Sequence, residues 1–211
     1  MFQILINALR ETLLMVMYAS IFSFLLGIPL GMLIANMAEA QSRLAKTTFN
    51  ALKGFLQFGG TIPYLVIMLA LIPCTNWLLN HKISFTTATI LPLTIAGTMM
   101  LAHHVAQQLI ASQNKWQNTI KALGATKKQA LLLILLPESL EAIIKAAANT
   151  AAAIVRYSFI AGAFGAGGLG QLAIEKTIGE PNFLYACISI STLVALQQIF
   201  KYTPLLIIKH K

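Results

Sequence analysis

The chain is poor in acid. Only six of its 211 residues are carboxylic, all of them glutamate: Glu11, Glu39, Glu138, Glu141, Glu175 and Glu180. They stand at the ends of apolar runs or between them, and no two form an acid and base pair. Charged residues make up 10% of the sequence and hydrophobic ones 57%, where a soluble domain has about 25% and about 45–50%. That deficit excludes a water-soluble globule. Disorder is excluded as well, because it needs low hydrophobicity and high charge, and the mean hydropathy is +0.75. The two cysteines, Cys74 and Cys187, have no Cys or His partner at metal-ligand spacing. They read as small buried hydrophobes, with a pairing between them left open. No G-x-x-x-x-G-K-[ST] string occurs, so the chain has no phosphate cradle of its own. The sequence implies no catalytic cluster, no metal and no cofactor.

What is abundant is uninterrupted apolar chain. A helix crossing about 30 Å of hydrocarbon needs roughly 20 apolar residues, and Thr12 to Ala38 and Gly54 to Asn80 each give 27 without a formal charge. Ile83 to Ala102 and Pro181 to Phe200 add two more runs. A fifth, from Ser139 to about Gly162, carries Lys145 and Arg156 around a core of alanines too apolar for a surface loop. The expectation is an all-α integral membrane protein in one domain, with spans near 12–37, 54–79, 84–111, 139–163 and 183–207 and a connecting loop at 112–138. The first run is too long, and too punctuated by Gly27, Pro29 and Gly31, for a cleaved secretory peptide.

Five spans place the termini on opposite sides of the membrane. Segments 37–53, 112–130 and 201–211 hold ten basic residues: Arg43, Lys46, Lys53, Lys115, Lys121, Lys127, Lys128, Lys201, Lys209 and Lys211. The other side holds Arg10, Lys82 and Lys176. The positive-inside rule then puts the N-terminus outside and the C-terminus in the cytoplasm. Orientation accounts for the net charge of +9, and no nucleic-acid partner is implied.

Gly165-Ala166-Gly167-Gly168-Leu169-Gly170 satisfies G-x-G-x-x-G, but an apolar helix precedes it rather than a strand, which removes the dinucleotide context. It reads as a flexible, tightly turning loop at the outer surface. His103 and His104 are adjacent, so on a helix they point about 100° apart and share no ion; they read as polar residues at a helix end. Lys145, Asn149, Ala152 and Arg156 recur at intervals of four, three and four, a single stripe on a helix. An arginine inside a span is a functional candidate. Two readings stand for Arg156: a water-filled pathway in which it meets a substrate carboxylate, or a structural arginine bonded to carbonyls or reaching outward. In the loop at 112–138, Asn118 can cap a short helix, Gly124 can end it and Thr126 can start another. Pro137, Glu138 and Glu141 then open the next long helix.

Gly124-Ala125, followed by the spacing to Ile134-Leu135-Leu136-Pro137, resembles the loop of ABC importer permease subunits that touches the ATPase. Gly27-Ile28-Pro29-Leu30-Gly31, Ile62-Pro63-Tyr64, Leu91-Pro92-Leu93-Thr94 and Tyr157-Ser158 leading into Gly165–Gly170 and Gln171 extend the resemblance to the methionine-importer type over nearly the whole chain. The resemblance implies a non-enzymatic permease in the bacterial inner membrane. It would act as a homodimer with two cytoplasmic ATPase subunits that bind ATP and Mg, and with a periplasmic or lipid-anchored binding protein delivering the amino acid. On this sequence the coupling helix would be Asn118, Thr119, Lys121, Ala122, Leu123, Gly124 and Ala125. Asn149, Arg156, Tyr157 and Ser158 would line the pathway, and Gly165, Gly167, Gly168 and Gly170 would lie at the outer gate. Asn118-Thr119 stands where the family has Glu-Ala, and Arg156 adds a charge the pattern does not call for. An ABC permease for another small amino acid or related solute, an ion-gradient-driven secondary transporter using Lys145 and Arg156, and a membrane enzyme or anchor are the competing readings.

Overall fold

The computed structural model describes residues 2–38, 43–78, 85–179 and 183–209. The expectations placed on Glu39, Lys82, Glu180 and Lys211 lie outside them. The described residues are helical but for short breaks and turns, without a strand. In order they form α1 (Phe2–Met37), α2 (Arg43–Thr61), α3 (Tyr64–Leu78), α4 (Phe85–Ala88), α5 (Ile90–Ala122), α6 (Lys127–Gln129), α7 (Leu136–Ala163), α8 (Gly168–Ile174) and α9 (Phe183–Lys209). Two π-helical turns, Ala130–Leu135 and Glu175–Gly179, lead into α7 and out of α8.

The centre of the bundle is the pair α1 and α5. On α1, Ala19, Ser23, Gly27, Gly31 and Ala35 recur every four residues and are all buried, while Leu14, Met17, Ile21, Phe22, Leu25 and Leu26 on the other face are exposed. Small residues inside and large ones outside suit a helix in lipid, where close backbone approach replaces hydrophobic collapse as the driving force. The approach is tight. A methyl group at Gly31 would stand 2.6 Å from Val105 Cβ, and one at Gly97 would stand 2.4 Å from Ser23 Oγ. Ser23 Oγ donates to the Thr94 carbonyl at 3.1 Å, and Gln113 Nε2 donates to that of Ala35 at 3.4 Å. Ser23 beside Thr94, Gly31 beside Val105 and Ala35 beside Gln113 make the two helices parallel, so the chain between them must travel back along the bundle.

Residues 43–78 make that return, but not as the single helix expected over 54–79. The helix stops at Ile62-Pro63 and restarts at Tyr64. Proline has no N–H to give and disfavours the helical conformation of the residue before it. Tyr64 is buried at the break, its ring stacked on that of Tyr157 with centroids 4.8 Å apart. Pro29 interrupts nothing, because it lies on the exposed face of a helix that neighbours hold on the other.

Among the described residues three helices are long and apolar enough to cross a membrane: Gln3–Met37, Thr86–Ala122 and Leu184–Tyr202. The apolar part of α3, Tyr64–Thr75, is shorter. At 28 residues α7 has the length, but Lys145 and Arg156 lower its hydropathy. Cys74 and Cys187, expected to be buried, are free and exposed; a small apolar thiol is tolerated on a face turned to lipid. His103 and His104 lie in the middle of α5 and not at its end, both half-buried.

Gly31→Val should destabilise the protein by about 1–3 kcal/mol, the usual consequence of overpacking a filled interface. Gly54→Ala, whose new methyl group meets nothing within 4 Å, should leave it unchanged or slightly more stable. Thermal unfolding in detergent compares the two; equal melting temperatures would show that the α1–α5 approach is slack.

Candidate functional site

The residues singled out by the sequence lie at the two ends of the α1–α5 pair and along one outer face. At the end where α5 finishes, the expected separate helix capped by Asn118 is absent. Asn118 lies inside α5, which runs unbroken to Ala122, because no glycine or proline intervenes between Gly97 and Gly124 and a helix once nucleated propagates. Gly124 does end a helix, and that helix is α5. With φ +61, its N–H donates to the Lys121 carbonyl at 3.2 Å, and Ala125 N–H donates to that of Ile120 at 3.3 Å, the two bonds of a Schellman stop. Thr126 then starts α6 by reciprocal capping with Gln129: Thr126 N–H donates to Gln129 Oε1 at 3.0 Å, and Gln129 N–H donates to Thr126 Oγ1 at 3.4 Å. The π turn that follows absorbs Pro137, which cannot donate to the carbonyl four residues back.

The outcome is a sharp apex rather than a loop. Asn118, Thr119, Lys121, Ala122, Leu123 and Gly124 are exposed and Ala125 is half-buried; Leu123 at the tip is 67% exposed. Leu132 and Leu133, which the sequence did not single out, are also exposed, giving an apolar knob beside Lys121 and Lys128. Behind it a cleft of about 1090 Å³ is lined by Asn36, Lys53, Gln113, Asn114, Gln117 and Lys121. The apex is tied to α7 by Ser112 and Ser139, whose hydroxyls are 2.7 Å apart, and by Lys115 Nζ donating to Glu138 Oε1 at 2.7 Å.

At the opposite end, the glycine string expected to be a flexible loop is a locked turn. Gly165, Gly167 and Gly168 hold φ of +90, +88 and +75, and Gly168, Leu169 and Gly170 already belong to α8 and are buried. Glu11 and Thr12 of α1 explain the order. Gly168 N–H donates to Glu11 Oε2 at 2.7 Å, and Leu169 N–H donates to Thr12 Oγ1 at 2.9 Å. Gly167 N–H donates to Gln171 Oε1 at 2.9 Å. These side chains satisfy the orphan donors at the start of α8. A methyl group at Gly168 would meet Thr12 Oγ1 at 2.5 Å, and one at Gly170 would meet the Phe159 carbonyl at 2.6 Å. The only sequence signal for Glu11 was its place as the acid immediately before the first apolar run.

The residues assigned to a pathway divide. Asn149 and Arg156 are exposed on α7, whereas Ala152 is buried, Tyr157 is stacked on Tyr64, and Ser158 is buried with its hydroxyl donating to the Val155 carbonyl at 2.8 Å. Lys145 is ion-paired with Glu141 one turn away, which leaves Arg156 as the cation of that stripe without an ion pair among the described residues. Gln197 of α9 lies in the same groove as Arg156, a neighbour the sequence did not suggest.

Residues 27–200 match the family described as binding-protein-dependent transport system inner membrane component. The chain is 33% identical over 199 residues to a protein of Vibrio cholerae named probable D-methionine transport system permease protein MetI, covering 94% of this chain and 88% of that one. A protein of the same name from Pasteurella multocida is 32% identical over 193 residues, covering 89% and 88%. A solved structure of the MetNI methionine ABC transporter in inward-facing conformations is similar at a TM-score of 0.88 and 27% identity, covering 100% of this chain and 97% of that one. An amino acid ABC transporter with histidines, at 0.78 and 19% identity over 100% and 95%, shares the fold.

Gly165→Ala and Gly168→Ala both impose a positive φ on an L residue, a strain of about 1–2 kcal/mol, but only the second drives a methyl group into Thr12. Gly168→Ala should therefore lower the melting temperature more, and Glu11→Ala should speed amide exchange at Gly168 and Leu169; equal effects of the two glycine variants would remove the α1 cap as the cause. Lys115 beside Glu138 holds that carboxyl below the ordinary glutamate value of 4.5. The tie therefore stabilises fully above that pH and fades as pH falls through the lowered value. Lys115→Met should lower the melting temperature at pH 7, and the gap from wild type should close on strong acidification.

Proposed function

Because this chain belongs to the binding-protein-dependent transport system inner membrane component family, we propose that it is the permease subunit of an ATP-driven importer carrying methionine inward across the bacterial inner membrane. The observation that carries the mechanism is the apex at Leu123–Thr126: a rigid, exposed, partly apolar knob at the end of the longest continuous helix after α1. Its shape and chemistry suit a cleft in a separate cytoplasmic subunit. ATP and Mg belong to that subunit, since nothing in this sequence offers a phosphate cradle, and the permease itself is not an enzyme.

A 33-residue α5 is about 50 Å long, well beyond the roughly 30 Å hydrocarbon layer, so one end can stand in the cytoplasm while the other stays near the outer surface. In this reading α1, α2 with α3, α5, α7 and α9 are the five traverses, with the N-terminus outside and the C-terminus inside. Two ATPase subunits closing on ATP push the knobs of two permease copies. The ties at Ser112–Ser139 and Lys115–Glu138 make α5 and α7 move together, and alternating access follows. The centre of each subunit is filled: Val16, Leu93, Ile154 and Leu169 are 0% exposed. The solute path therefore runs between two copies and not through one, with a periplasmic or lipid-anchored binding protein delivering the cargo at the Glu11–Gly168 end.

The test reconstitutes the permease with its ATPase and binding protein in vesicles. ATP-dependent methionine uptake is expected. Leu123→Asp should reduce it at least about tenfold while ATP hydrolysis continues. Gly124→Pro should do the same, because proline fixes φ near −65° where the turn has +61 and removes the N–H bonded to Lys121. Full uptake by both variants would argue against the apex as the coupling element, and uptake of other amino acids but not methionine would change the cargo.

A further inference from the structure

We infer that Arg156 and Gln197 head a binding groove between α7 and α9 for the carboxylate of the transported amino acid, whose apolar side chain lies along Phe159, Ile190 and Val194. The inference rests on the importer reading and adds a ligand subsite to it. The groove has a volume of about 340 Å³, and its walls are apolar except at Arg156 and Gln197. Helices α7 and α9 run antiparallel, being joined through the short α8, so Arg156 at the low-numbered end of the α7 wall faces Gln197 at the high-numbered end of the α9 wall. Both polar groups therefore sit at one end, with the hydrocarbon at the other. That is the polarity of an amino acid with an apolar side chain.

The charge arrangement supports an anionic visitor. Arg156 is exposed and has no hydrogen bond or ion pair among the described residues. No acid occurs anywhere from Phe183 to Lys209 on the facing helix, and the acids of α7, Glu138 and Glu141, stand at least fifteen residues before Arg156, more than about 20 Å along the axis. An arginine that no protein carboxylate neutralises, set in an apolar wall, is costly to maintain without a function. Its planar fork can donate two parallel bonds to a carboxylate, and the Gln197 amide carbonyl can accept from the ammonium beside it. The groove is also short. Residues 155–160 and 190–197 span only about 8 and 10 Å, enough for a side chain of a few atoms and too little for the acyl chain of a phospholipid. A path enclosed by two copies would carry two such grooves.

The permease–ATPase complex in lipid nanodiscs, without binding protein, tests this with radiolabelled L-methionine and with methioninol, in which an alcohol replaces the carboxylate. Wild type should bind methionine, with methioninol competing at least tenfold more weakly. Arg156→Gln should weaken methionine binding at least tenfold without weakening methioninol, a split that a merely structural arginine would not give, and Arg156→Lys should recover part of the loss. Val194→Trp, which fills the apolar end, should weaken both ligands. The groove as a subsite is overturned if wild type binds no methionine, if Arg156→Gln binds as wild type does, or if the variant instead loses a co-purifying anionic phospholipid. ATP-driven uptake by the wild-type vesicles keeps the importer reading separate: intact uptake alongside any of those results sinks only the groove, whereas no ATP-dependent uptake of any amino acid removes the reading beneath it.

Discussion

The interaction on which the structure depends is the close parallel approach of α1 and α5. In water, two such helices would be driven together by expelling solvent from apolar surface; among lipid tails that gain is absent, and contact must be won by van der Waals packing at short range. The four-residue repeat of Ala19, Ser23, Gly27, Gly31 and Ala35 provides it, with Leu101, Ala102 and Val105 fitted where side chains on α1 are missing. The interhelical bonds from Ser23 to Thr94 and from Gln113 to Ala35 add register more than strength, since such bonds average about 0.6 kcal/mol in membranes.

From that seam the rest is placed. Above it, α1 presents Glu11 and Thr12 to the first amides of α8, so the glycine turn is held by a helix 157 positions away in sequence. Below it, α5 continues for about two and a half turns past the contact of Gln113 with Ala35 and ends in the Gly124 stop. A displacement of the apex in the proposed importer is thus delivered along one continuous helix whose partner carries the cap of the far end. The π turn before Pro137 and the break at Pro63 fall on other segments, leaving this axis regular. That division of labour is what a lever requires: stiffness along α5 and compliance beside it.

The sequence disclosed elements whose causes are local. Gly124 as a stop, Thr126 as a start, Pro137 and Glu138 at the opening of α7, and the apolar runs of α1 and α9 can each be read within a few residues. What it hid was set by distant partners or by competition. Asn118 has the chemistry of a cap, yet a cap preference of about 1 kcal/mol is overridden when the preceding turns are already helical and nothing breaks them. The glycine string looked mobile because Glu11 and Thr12 are nowhere near it in the chain. Cys74 and Cys187 were assigned to the interior by a rule derived from water-soluble proteins, and in lipid the outward face is equally apolar. The stripe from Lys145 to Arg156 was right for three members, but a step of three residues from Asn149 turns Ala152 by about 60° out of line with it, enough to bury it.

The same inversion bears on where function can lie. A soluble transporter hides its binding site in an interior cavity, because its surface is committed to water. Here the interior is filled, small residues at the helix crossings and Met15, Leu93, Ile154 and Leu169 between them, and most of the outer surface is uniform hydrocarbon. Polar groups on that surface therefore stand out against a background that is otherwise chemically silent. Asn149, Arg156 and Gln197 share neighbouring faces of α7 and α9, whereas α1 offers leucine, isoleucine and phenylalanine along most of its exposed length. If lipid covered both faces equally, the arginine would be a standing penalty on one of them. In the proposed importer, enclosure of the α7–α9 face by a second copy would remove that penalty and create a corridor in the same step, so the position of Arg156 argues for which side of the subunit would meet its twin.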